Sequence, residues 1–141
     1  MGGTCAPPAA PPVSRFERAL DTYTGMTAPF RGCFVFVTVA AAYAASSALG
    51  LVGALLVEAT FLLVAGTYCL ANFARCREAH CIVTGLGWSA LAIAGIVALL
   101  VERDIRGSAW IAFLIIALAG HGFEGVWQAA HGSNTVRLGQ G

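Results

Sequence analysis

Four stretches of predominantly apolar residues, at 30–49, 54–74, 82–101 and 109–130, follow one another with only short breaks. A helix needs about 20 such residues to cross a hydrocarbon core roughly 30 Å thick. Each stretch meets that length, so the sequence predicts an all-α membrane protein: a bundle of four transmembrane helices. Short connections force consecutive helices to run antiparallel. Composition agrees, because 58% of the 141 residues are hydrophobic and 11% charged, whereas soluble domains carry about 25% charged residues. The lipid bilayer is thus the expected main partner. The net charge is only +1, so no basic face for nucleic acid is expected.

Residues 1–13, MGGTCAPPAAPPV, lack charge and hold four prolines, which fits a disordered tail rather than a cleaved signal. Ser14 stands three residues before Glu17, a capping-box spacing, and Phe16, Ala19, Leu20 and Tyr23 then recur at helical spacing. A short amphipathic interfacial helix over 14–25 is expected. Residues 131–141 read as a C-terminal tail. All eight basic residues are Arg. On a four-helix path Arg15, Arg18, Arg31, Arg75, Arg77 and Arg137 fall on one side, and Arg103 and Arg106 on the other. The positive-inside rule then puts both termini in the cytoplasm. With five cysteines, an odd number, free thiols are expected.

Lipid offers no hydrophobic drive for helix association, so small residues must carry close packing. Candidates are Ala40, Ala41, Ala44, Ala45 and Ala48 on the first helix, Gly87, Ala90, Ala94 and Ala98 on the third, and Gly122 and Gly125 on the fourth. Trp88, Trp110 and Trp127 are expected as interfacial anchors.

The residues able to carry chemistry concentrate in the second connection, NFARCREAHCIVTG. On one helix Cys76 and His80, four apart, share a face within chelating distance. Cys81 follows, and Cys33 is expected near the same membrane face. Thiolate and imidazole suit a soft metal ion, Zn or Cu. Glu58, Cys69, Asn72, Cys76 and His80 also fall along one line of the second helix. A carboxylate in a spanning helix is costly to bury and calls for a functional or interfacial explanation, and Glu58 lies close enough to a helix end to snorkel. His121, Glu124, Gln128 and His131 form a similar stripe on the fourth helix. Equal depths predict that Cys69 meets Glu124 and Asn72 meets Gln128. Such pairs serve either as a proton or ion path or as glue between helices.

The run RCREAHCIVTG after Asn72, an RCxxxHC…TG loop, and the ending FEGVWQAAHGSN resemble small uncharacterised prokaryotic four-helix membrane proteins. In length and span count the chain is similar to mercuric-ion transport proteins, which use cysteine pairs near or within helices; here the first helix holds Cys33 alone. It also resembles disulfide-generating quinone reductases in span count, but lacks their cysteine pairs on the outer face.

Two functions are expected from these features. One is an accessory or assembly subunit of a membrane complex or homo-oligomer. The alternative is a binding or transport protein for soft metal ions or protons, using the Cys/His cluster. No nucleophile with its base, phosphate loop or cofactor motif is present, so no enzyme is expected.

Overall fold

The computed structural model describes residues 28–136 together with Ser14, Arg15, Arg18, Ala19 and Thr22. The expected tail at 1–13, most of the expected 14–25 helix and residues 137–141 lie outside the described residues. Four helices are present: α1 (Ala28–Ala48), α2 (Leu51–Cys76), α3 (Ala79–Leu100) and α4 (Ser108–His131). All four are long and apolar enough to cross a membrane. Their large apolar side chains point outward, with Phe36, Leu100, Leu118 and Val126 at least 70% exposed. Such a surface is the inverse of a water-soluble one and suits a lipid surround.

The second connection is far shorter than its polar sequence suggests. Helix α2 runs on through Cys76, and only Arg77 and Glu78 separate it from α3. Arg77 takes the left-handed conformation (φ 55°, ψ 29°) and donates its N–H to Phe73 O at 2.9 Å, closing α2 as a glycine commonly does. The chain then reverses immediately. Cys76 and His80 are therefore on different helices, and the expected shared helical face does not exist.

Helix α3 packs on both α2 and α4, while α1 lies against α2. The buried face of α2 holds Ala54, Leu55, Glu58, Ala59, Leu62, Gly66, Cys69 and Asn72, so the polar stripe and the packed stripe coincide. Two glycines set the α2–α3 distance. A Cβ on Gly66 would lie 2.5 Å from Ser89 Oγ and 2.8 Å from Ser89 N, and one on Gly85 would lie 3.1 Å from Leu70 N. On α4 the close contact is Gly120 against Thr84, whereas Gly122 and Gly125 face open space. Ala40, Ala41, Ala44, Ala45 and Ala48 of α1, and Ala90 and Ala94 of α3, are likewise exposed. Small size permits close packing at these positions but does not direct it.

The bundle closes at the end where α1 finishes and α4 begins. There Trp110 packs against Tyr43 and Phe61, and Phe113 against Phe61 and Trp88. Trp88 also donates its indole N–H to Phe113 O at 3.2 Å. Trp88 and Trp110 thus pack, partly buried, against the core cluster of Leu62, Ala92 and Phe113.

Replacing Gly66 by Ala should force α2 from α3 and lower thermal stability in detergent by about 1–3 kcal/mol. Gly122→Ala, which meets nothing, should not lower it. Equal melting temperatures for the two variants and the parent would contradict this packing.

Candidate functional site

The reversal at Arg77–Glu78 brings the end of α2 against the start of α3. Asn72 is buried in the last turns of α2 and donates Nδ2 to Glu78 Oε2 at 3.3 Å and to Cys81 Sγ at 3.5 Å. Cys81 is 1% exposed and lies 3.4 Å from His80 Nε2. Glu78 Oε2 is 3.9 Å from the same nitrogen. Cys69, one α2 turn deeper, faces Cys81 and Thr84. A carboxylate, an imidazole nitrogen and a thiol therefore converge, with one asparagine tying two of them together.

The other side of the His80 ring faces α4. Its Nδ1 lies 2.9 Å from Glu124 Oε2, and His121 Nδ1 lies 3.6 Å from that oxygen. The Nδ1 proton is not aligned on the oxygen, so the 2.9 Å approach is an electrostatic contact rather than a well-formed hydrogen bond. The His80 and His121 rings stack with centroids 5.1 Å apart. Glu124 also accepts from Asn134 Nδ2 at 3.1 Å through Oε1. His80 thus joins two groups whose donor atoms lie within 4.8 Å of one another: Glu78–His80–Cys81 and His80–His121–Glu124.

Asn134 belongs to the stretch expected to be a tail. Instead α4 ends at Gly132 (φ 72°), whose N–H reaches Gln128 O at 2.8 Å, a left-handed helix stop that turns the chain back. Ala79 N–H then donates to Asn134 O at 2.9 Å and Val136 N–H to Arg77 O at 2.8 Å, and Val136 is buried. Residues 132–136 form a strap across the Arg77–Ala79 turn.

Several expected site residues are placed differently. Cys76 is disulfide-bonded, so it offers no thiolate. Its sulfur has no proton to donate, which makes the 3.6 Å approach to Asn72 Oδ1 a contact only. The free-thiol expectation fails there and holds for Cys33, Cys69 and Cys81. Cys33 is exposed on α1 and belongs to neither donor group. Cys69 and Asn72 meet α3 rather than Glu124 and Gln128, because α3 takes the place beside α2 that α4 was expected to fill. Gln128 is exposed, and His131 stacks on Trp127 with centroids 4.0 Å apart. Glu58 does not snorkel; it is 3% exposed at the far end of the bundle. Glu78 and Asn134 were not foreseen as members. The run Glu78-Ala79-His80-Cys81 could have signalled the first, and Gly132 after the last helix the second.

Comparison with protein-family models, with curated proteins and with solved structures finds no significant match.

Unseating the strap should open the site. In Val136→Asp, a charge replaces a buried side chain, and Cys81 should react with a maleimide at least several-fold faster than in the parent protein under the same reducing conditions. Unchanged Cys81 reactivity, read by mass spectrometry, would show that the strap does not cover it.

Proposed function

We propose that this protein is a membrane metal-binding protein that holds one Zn²⁺ ion between Glu78 Oε2, His80 Nε2 and Cys81 Sγ. The observation that carries this reading is the convergence of Glu78 and Cys81 on one ring nitrogen, at 3.9 and 3.4 Å. Tetrahedral zinc binds N and O at about 2.0–2.2 Å and S at about 2.3 Å, which spaces neighbouring ligand atoms roughly 3.3–3.6 Å apart. Small side-chain adjustments reach that geometry. One thiolate, one imidazole and one carboxylate form a donor set suited to zinc.

Groups behind the ligands support the same reading. A carboxylate on the far nitrogen of a ligating histidine keeps the proton there and frees the other lone pair for the metal. Glu124 Oε2 lies 2.9 Å from that nitrogen of His80 and takes this role once the ring turns its N–H onto it, and Asn134 holds Glu124. Asn72 steadies both anionic ligands from α2. Three ligands leave a fourth position for water, a substrate or a transfer partner. Glu78 and His80 are partly exposed at the bundle end, which supplies a route for the ion.

Zinc should bind the reduced full-length protein in detergent at about one ion per chain, more weakly as pH falls and thiol and imidazole protonate. Cys81→Ser and His80→Ala should each weaken binding strongly, Glu124→Gln by about 10–100-fold, and His121→Ala little. Loss in His121→Ala with retention in Cys81→Ser would move the ion to the α4 side of the ring. No binding by the parent protein would favour the accessory-subunit reading, in which these polar contacts are helix glue.

A further inference from the structure

We propose that Glu58 is a proton-binding site inside the bundle, at the opposite end from the His80 cluster and independent of it. Glu58 is 3% exposed, and its Oε2 has no hydrogen-bond partner. It lines a narrow cleft with Leu62, Ala109 and Trp110. Fourteen residues of α2 separate it from Asn72, about 21 Å at 1.5 Å per residue.

The neighbouring donors are committed elsewhere. Ser46 has one hydroxyl proton and gives it to Tyr43 O at 3.0 Å. Trp110 has one indole proton and directs it to Ser46 Oγ at 3.3 Å. Both groups also lie within hydrogen-bonding reach of the Glu58 carboxyl, so a carboxylate could draw on them only by giving up these contacts. A carboxylic acid needs an acceptor, and Ser46 Oγ keeps a second lone pair for that purpose. The present pairings leave buried Oε2 without a partner, which costs a neutral carboxyl less than a carboxylate.

The charged groups acting on Glu58 are Arg106 and Asp104, in the 101–107 connection. They are engaged with each other: Arg106 Nη2 donates to Asp104 Oδ2 at 2.7 Å and Nε to Oδ1 at 3.0 Å. This pairing holds the Asp104 carboxyl down to about 2, so Asp104 stays ionised and Arg106 stays paired at any ordinary pH. Tyr43 and Ser46 from α1 and Trp110 from α4 contribute only neutral groups. When Glu58 loses its proton, the Ser46 hydroxyl can rotate from Tyr43 O to the carboxylate. Proton loading at Glu58 therefore changes a contact that holds α1 to the bundle.

Infrared spectroscopy of the full-length protein in lipid vesicles tests this directly. The parent protein at neutral pH should give the C=O stretch of a protonated carboxylic acid, absent in Glu58→Gln, and Ser46→Ala should shift that band by removing its acceptor. N,N′-dicyclohexylcarbodiimide, across whose C=N bond a protonated carboxyl adds without a leaving group, should modify Glu58 of the parent protein and do so more slowly as pH rises. A parent spectrum without the acid band from mildly acidic to neutral pH would overturn the proposal. So would carbodiimide that spares Glu58 while modifying other carboxyls, or an acid band that Ser46→Ala leaves in place.

Discussion

Everything at the His80 end of this molecule depends on how closely α2 and α3 approach. Gly66 and Gly85 let the two backbones come together where any Cβ would strike Ser89 or Leu70. Arg77 then reverses the chain in two residues. In lipid, where apolar side chains gain nothing by leaving their solvent, such contact must come from shape and polar pairing. With that contact made, Asn72 has nowhere to place its amide except against Glu78 and Cys81. Its buried nitrogen finds acceptors there, and the first turn of α3 becomes a cluster of potential ligands rather than a solvated loop. The helix N-terminus adds the positive end of its dipole beside the Glu78 carboxylate, a favourable field of roughly 0.3–1 kcal/mol per charge near the surface.

The two ends of the bundle are built on opposite principles. At the Trp110 end, aromatic rings from α1, α2, α3 and α4 fill the space between helices, and the Glu58 carboxyl is buried among them. At the His80 end, polar groups cluster at partial exposure, and a short strap from the C-terminal segment covers the turn. Rigid packing at one end and accessible donors at the other suit a protein that presents an ion site at one face.

Much of the fold was legible in the sequence, because hydrophobic stretches of membrane-spanning length admit few alternatives. Part of the polar line on α2 was also legible: Cys69 and Asn72 are buried, while Glu58, near enough to a helix end to snorkel, is buried too. The neighbour that buries them was not. Periodicity says which face of a helix is special but not which helix it meets, so α4 was expected where α3 stands. A connection was expected at 75–81, but its two-residue length escaped notice for a related reason. Arg77 carries no mark of a left-handed residue, and without a Gly or Pro at that point the helix read as running on toward His80. That placed Cys76 with His80, when the partners of His80 are Glu78 and Cys81 on its own side of the break and Glu124 across from it. Alanines on α1 and glycines at 122 and 125 misled in the same way, since smallness has no direction.

The central claim is that His80, Cys81 and Glu78 share one ion, with the α4 carboxylate behind the histidine. X-ray absorption at the zinc edge of the reduced, zinc-loaded protein tests it most directly, because sulfur and light-atom neighbours scatter differently. The account predicts one sulfur at about 2.3 Å and the remaining neighbours nitrogen or oxygen at about 2.0–2.2 Å, with the sulfur contribution lost in Cys81→Ser. A first shell of nitrogen and oxygen alone in the parent protein would contradict it.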